Sequence, residues 1–510
     1  MTILCSSWGA SRQTAGQVTT RLLTLALLTL VTACAAPPRA VDKSDSYFND
    51  RPASATPLRT VAHGKSGSGI RLLADPDEAL QARLHLAALA SSTLDLQYYL
   101  WQGDDSGMAL IYEVLEAANR GVRVRILLDD IYHSGRDSAY RTLDAHPNVK
   151  VRLFNRMGNR GAAKTTNYAL KKGSLNYRMQ NKTFLADGVA AIMGGRNIGD
   201  EYFGRNPSFN FQDMDAIALG AVAAEAGGAF DLFWNAELAI PVSALAQADA
   251  TDASADQMAM LAEARDRVRP SADWGPANGA DHHAWLAAVS GELTWTDARV
   301  IVDRPDRSNE YPDSTFTTFI EDENLRPSAS VVIQTVYLIP NGPTLGNLQA
   351  VAGNGVDLRI LTNSAQSTNH SAVHAYYAPY RRRLLEAGVS LYEVQGTGAL
   401  AAYLDRVGED AHAGLHTKAM VIDGTLSVIG SYNMDPRSRV WNSEIALIVE
   451  DADFAAQVFA EMERDFAPEA AWRLSLDDEG GCSGAAWRRE RPCSSLLTPA
   501  AVGGIGFCGA

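Results

Sequence analysis

Apolar and polar positions along the chain alternate with two periods, and the order of those periods occurs twice. Residues 94–100 (L-D-L-Q-Y-Y-L) alternate and predict a strand. Leu110, Ile111, Val114, Leu115 and Ala118 then recur at helical spacing, with Ser106 placed to cap the helix and Gly121 to close it. Val122, Val124 and Ile126 alternate again as far as Asp129-Asp130. Strand, helix, strand is the crossover unit of an α/β sheet. Residues 211–219 predict a further strand carrying Asp213 and Asp215, followed by a helix with Phe230, Phe233 and Trp234. A second series has the same order. Residues 331–338 read as a strand, Leu345, Leu348 and Val351 mark a helix, and Val356, Leu358 and Ile360 alternate before Thr362-Asn363-Ser364. Phe454, Val458, Phe459 and Met462 share one face of a last helix that Asp451 can cap. Gly121 recurs as Gly355, 234 residues on. A repeat of that length predicts two related half-domains, residues 70–236 and 291–466.

The stretches outside the halves read differently. Arg12 and Arg21 precede an apolar run at 22–31, too short to span a bilayer and suited to a signal segment. It ends Val31-Thr32-Ala33-Cys34, which resembles the lipobox of bacterial lipoproteins with Cys34 as the lipidated residue; a plain secretory signal cut near this point is the alternative. Residues 35–69 are read as a flexible tether. Residues 237–290, rich in Ala, Asp, Glu and Gln with breaks at Pro270 and Pro276, are read as a helical insertion or linker packed on the body. Residues 467–510 are read as an irregular tail.

Composition narrows the function classes. An apolar content of 46% and a charged content of 20% over 510 residues suit a folded protein of two or three domains' length. The net charge of −14 argues against a sequence-independent nucleic-acid binder. The cysteines stand at 5, 34, 482, 493 and 508, so the body carries no disulfide framework and no thiolate metal site. Asp281-His282-His283 is the one histidine cluster and is read as a structural loop. No metal or other cofactor is expected.

The candidate chemistry lies between 416 and 444. His416, Lys418 and Asp423 form His-x-Lys-x-x-x-x-Asp, and Gly430-Ser431-x-Asn433 follows. Cation and amide can hold the non-bridging oxygens of a phosphate ester while the imidazole attacks phosphorus or moves a proton. The same frame recurs 236 residues earlier as Lys182, Asp187, Gly194 and Asn197, with Gln180 in the histidine position. The doubled motif resembles that of the phospholipase D superfamily, and the run G-G-R-N-I-G-D-E-Y-F at 194–203 resembles the bacterial cardiolipin synthase branch, the C-type in particular.

The resemblance implies an α/β fold of two similar α/β/α halves related by a pseudo-twofold axis, each lending one motif to a shared cleft. Lys182, Asn197, Lys418, Asn433 and Ser431 are then expected to bind one phosphodiester. Glu444 is expected to orient His416, Asp215 to be its counterpart in the first half, and Asp187 and Asp423 to brace the motif strands. In active members of the family the first-motif histidine becomes phosphorylated and the second protonates the departing alkoxide. Gln180 cannot attack phosphorus. Three readings stay open: a transferase working through His416 with water or Lys182 assisting, an enzyme of residual activity, and a protein that grips phospholipid headgroups without turnover. The expected partner is a phospholipid such as phosphatidylglycerol, met by a lipid-anchored protein on the outer membrane facing the periplasm. No nucleic acid is expected, a nuclease of the same family being the rival reading, and an additional protein partner is left open.

Overall fold

Two nine-stranded mixed sheets carry the chain. The computed structural model describes residues 43–49, 56–133, 135–157, 176–245, 253–268, 279–306, 314–322, 325–397, 412–477 and 482–484. The expected leader, Cys34 and most of the C-terminal tail lie outside them. Asp45–Ala510 is one unit. In its first sheet the strands Thr93–Tyr98, Arg123–Asp129 and Val149–Phe154 run parallel. Thr183–Ala186, Ala190–Gly194, Asp215–Gly220 and Ser68–Leu73 extend it antiparallel from the other side of Thr93–Tyr98. The second sheet repeats this strand for strand. Ser330–Gln334, Asp357–Asn363 and Ser390–Val394 are parallel, and Ala419–Ile422, Leu426–Gly430, Ile445–Glu450 and Ala298–Val302 follow antiparallel. The protein is therefore an α/β fold of two similar α/β/α halves.

Three cores hold these layers. Thr93–Tyr98 is buried at every position, as a parallel strand covered on both faces is. Leu94, Leu96 and Tyr98 pack with the helices Pro76–Leu89 and Asp105–Asn119 in one outer core. Ile333, Leu358, Ile360 and Leu391 belong to the matching core of the second half. The third core joins the halves. It takes Leu185, Met193 and Ala216 from the first sheet and Val332, Val421, Ile429 and Leu447 from the second. Phe230 and Phe233 of the helix Ala221–Trp234 and Phe454 and Val458 of Ala452–Asp465 complete it. Each helix packs on a strand of the other half, Ala221–Trp234 on Ala298–Val302 and Ala452–Asp465 on Ser68–Leu73.

Several elements differ from the sequence reading. The first crossover helix is capped by Asp104, which accepts from Gly107 N at 3.0 Å; Ser106 sits in its first turn and bonds Asp200. The tether is partly folded: Ser46 O accepts from Arg125, Phe48 N donates to Asp231, and Pro57–Ala62 is a helix with Leu58 buried. The buried Arg125–Asp231 pair has bonding capacity left over, and this stretch of main chain fills it. The tail includes the strand Ala471–Leu476, paired with Ser390–Val394. The insertion contains the edge strand Ala239–Pro241 and the helices Ala255–Val268 and Gly279–Gly291. His282 lies on the second of these helices rather than in a loop, its Nδ1 2.8 Å from His85 Nδ1. Thr294–Thr296 still pairs with Ser68–Ile70 of the first sheet, so the chain crosses to the second half at Asp297.

Two adjacent glycines in Ala221–Trp234 have opposite surroundings. A Cβ on Gly227 would lie 2.7 Å from Phe48 Cγ, whereas one on Gly228 would meet nothing within 4 Å. Gly228→Ala is expected to stabilise the protein by about 0.5–1 kcal/mol. Gly227→Ala is expected to destabilise it by about 1–3 kcal/mol through overpacking. Denaturant unfolding of the two variants checks this; equal responses would mean that Phe48 does not pack on the helix.

Candidate active site between the halves

Two short parallel ladders cross from half to half. Arg178–Met179 pairs with Asn442–Ser443, and Phe209–Gln212 pairs with His412–Leu415. The first is anchored by Asp129, which accepts from Met179 N at 2.8 Å and pairs with Arg178 at 3.1 Å. The second is anchored by Asn363, whose amide bonds both Leu415 N and Leu415 O at 2.8 Å. Each ladder delivers a motif residue of one half beside an acid of the other. Gln180 N donates to Ser443 O at 2.8 Å, next to Glu444, and His416 N donates to Gln212 O at 2.7 Å, next to Asp213.

His416 is held on three sides. Its Nδ1 lies 2.5 Å from Asp213 Oδ2, and its ring packs against Tyr202 and Phe211 with centroids 5.1 and 5.0 Å away. Lys418 Nζ stands 3.0 and 3.3 Å from the two ring nitrogens. Burial presses the imidazole down to about 4; Lys418 adds to that and Asp213 opposes it. Burial alone would raise the Asp213 carboxyl, but His416 and Lys418 outweigh it and hold it below the usual range. At neutral pH the ring is therefore neutral. Asp213 accepts the Nδ1 proton, which leaves the lone pair on Nε2.

The other side of the cleft has no imidazole. Lys182 Nζ donates to Gln180 O at 2.5 Å and Gln180 Oε1 at 3.0 Å, and lies 5.5 Å from the centre of the Tyr99 ring. Glu444 accepts from Ser431 Oγ at 2.6 Å, Ser438 Oγ at 2.8 Å and Asn442 Nδ2 at 3.2 Å. Burial pushes its carboxyl up to about 7 against the pull of Lys182. Burial also lowers Lys182 to about 8 and Lys418 to about 7, while Glu444 and Asp213 hold both up. The charge of Lys182 depresses both Lys418 and His416. The two ammonium groups thus share one buried neighbourhood, as a dianionic transition state requires.

The register corrects two assignments. Glu444 was expected to orient His416, but the acid on that ring is Asp213 of the opposite half. Asp215 was expected to match Glu444. Gly194 pairs with Asp215 as Gly430 pairs with Ala446, so the counterpart of Glu444 is Asp213, two residues earlier. Asp215 instead lies 2.8 Å from Arg83 and 3.4 Å from Arg196, all three buried. Ser431 was placed on the phosphate, yet its hydroxyl donates to Glu444. Asn197 bonds Leu100 N and the Tyr202 hydroxyl within its own half, while Asn433 Oδ1 is buried with no partner among the described residues. Asp187 and Asp423 adopt φ of 54° and 49° and accept main-chain N–H groups, Asp187 from Ser91, Ser92 and Thr93 and Asp423 from Ser328, Ala329 and Ser330. Tyr202, Phe211, Ser438 and Asp213 are the site residues the sequence reading left unassigned.

Residues 84–231 and 325–466 both match the family model described as "Cardiolipin synthase, PLD-like domain". Cardiolipin synthase C of Escherichia coli is 35% identical over 419 residues, covering 79% of this chain and 85% of that protein. An uncharacterized protein of Helicobacter pylori is 32% identical over 420 residues, covering 79% and 80%. The crystal structure of phosphatidylserine synthase from Haemophilus influenzae matches with a TM-score of 0.52 at 15% identity, covering 79% of this chain and 86% of that one, which speaks for the fold alone. The chain belongs to the phospholipase D superfamily, in its cardiolipin synthase branch of phosphatidyltransferases.

The two neighbouring acids are expected to separate cleanly on mutation. Asp213→Asn should fold normally and lose activity by about 10²–10⁴-fold, because the ring loses its tautomer and orientation. Asp215→Asn should destabilise the fold by about 3–5 kcal/mol, because Arg83 and Arg196 lose their buried partner. Turnover and unfolding midpoints measured together check both; the reverse pattern would move the ring-orienting role from Asp213 to Asp215.

Proposed function

We propose that this chain cleaves and transfers phospholipid phosphodiesters through a phosphohistidine on His416, with turnover weakened by Gln180. The observation that carries the reading is the buried His416 ring, its Nδ1 2.5 Å from Asp213 Oδ2 and its Nε2 3.3 Å from Lys418 Nζ, with Lys182 in the same buried cleft. The phosphate's non-bridging oxygens lie between Lys182 and Lys418. Nε2 bonds to phosphorus, charge grows on the equatorial oxygens where the cations wait, and the alkoxide leaves on the Gln180 side. An alcohol then attacks the phosphohistidine and takes the phosphatidyl group. The similarity to Cardiolipin synthase C supports phosphatidylglycerol or a close relative as donor and acceptor. An amide at 180 cannot give or take a proton near neutral pH, so alkoxide departure is slow.

The substrate is a bilayer component, and the reading places the protein on the bacterial envelope. No helix among the described residues is long and apolar enough to cross a membrane. Lipidation at Cys34 supplies the attachment, with the outer membrane facing the periplasm as its place.

Two experiments test this. Rapid quenching with headgroup-labelled and acyl-labelled phosphatidylglycerol should trap an acid-labile phosphatidyl adduct on His416, absent in His416→Ala. Gln180→His should raise transfer by about 10²-fold or more, the usual worth of a placed proton donor; an unchanged rate would refute the account of the missing imidazole. Separately, Cys34→Ser should move the protein from the membrane fraction to the soluble fraction, and continued sedimentation with membranes would contradict the anchor.

A further inference from the structure

We infer that Lys182 takes over the proton transfer that position 180 has lost, giving a proton to the departing alkoxide and recovering it from the incoming alcohol. The inference rests on the function proposed above. Lys182 Nζ bonds the side-chain oxygen and the main-chain oxygen of Gln180, so the ammonium stands on the side of the cleft from which the leaving group departs. His416, with Asp213, occupies the other side. Gln180 presents Oε1 as an acceptor, which orients the ammonium without competing for its proton. Among the acids that act on Lys182, Glu444 follows Ser443, whose carbonyl accepts from Gln180 N, and three donors already occupy its carboxylate.

The surroundings of Lys182 make a transferable proton. The residue is 2% exposed. Tyr99 lies under the ammonium, Glu444, Asp213, Asp215 and Asp129 act on it as negative charges, and its own charge reaches Lys418 and His416. Burial brings it down to about 8 against those acids, and a general acid is most effective when it titrates near the pH at which it works. Lys418 is committed elsewhere, to the His416 ring and its carbonyl.

The steps balance. His416 Nε2 forms a bond to phosphorus as the phosphorus–oxygen bond breaks; the electron pair stays on that oxygen, which takes a proton from Lys182 Nζ and leaves as the alcohol. Lys182 is then a neutral amine. It removes the proton of the acceptor alcohol as that oxygen bonds to phosphorus and the phosphorus–nitrogen bond breaks. His416 returns neutral and Lys182 returns charged.

The test compares two leaving groups in single-turnover formation of the His416 adduct. Phosphatidylglycerol releases glycerol, whose alkoxide needs a proton, and bis(4-nitrophenyl) phosphate releases a phenolate that does not. Lys182→Arg keeps the cation but cannot give up its proton. It should slow the lipid ester by about 10²-fold or more and the nitrophenyl ester by less than about 10-fold. Adding Gln180→His to Lys182→Arg should remove that difference. In the unaltered protein, the ratio of the lipid rate to the nitrophenyl rate should fall as pH rises through about 8, a readout that needs no variant. Equal slowing of both esters by Lys182→Arg, or a ratio flat across that pH range, would overturn the inference and leave the His416 reading standing. Failure of the unaltered protein to form the adduct with either ester would overturn both.

Discussion

The contact on which the site depends is the pairing of His412–Leu415 with Phe209–Gln212 across the two halves. It sets His416 beside Asp213, and neither residue's own half supplies the other. The matching ladder, Arg178–Met179 with Asn442–Ser443, sets Gln180 beside Glu444. Both ladders stand outside the nine-stranded sheets and end just before the site residues. A half-domain alone would therefore present an imidazole without an acid, or an acid without a partner. The apolar core between the sheets, with the two helices that each reach a strand of the other half, holds these ladders in register.

Placing four charged side chains in one buried cleft is costly, and the arrangement shows how the cost is limited. Each cation is held up by acids of both halves, and each acid is met by hydrogen bonds or a cation. Burial still leaves both ammonium groups far below the usual lysine range and Glu444 well above the usual carboxylate range. The cleft is thus poised to be stabilised by an incoming phosphate. The two sides also differ beyond position 180. The His416 ring lies against Tyr202 and Phe211, whereas Ser438 and Asn442, together with Ser431, surround Glu444 with donors.

Much of this was legible in the sequence. The doubled motif, the 236-residue offset and the order of strands and helices required two similar halves, and the matched family and strand order agree. The crossing ladders were not legible. Alternation reports which faces of a strand are buried but not which sheet it joins, so 211–219 read as one strand when the chain in fact changes partner at Asp213-Met214. The same limit misplaced the acid. Asp213 and Asp215 are two residues apart and share a face in an extended chain, and the one adjoining the apolar run was taken. The pairing to Gly194 and the contacts with His416, Arg83 and Arg196 separate them. The strand Ala471–Leu476 escaped for a related reason: its burial follows no clear period of two.

The most direct measurement is a crystal structure of the protein with vanadate, which takes the five-coordinate geometry of phosphoryl transfer. The account predicts vanadium bonded to His416 Nε2, equatorial oxygens between Lys182 and Lys418, and Nδ1 still on Asp213. Vanadate bound away from His416, or a ring turned so that Nε2 faces Asp213, would contradict it.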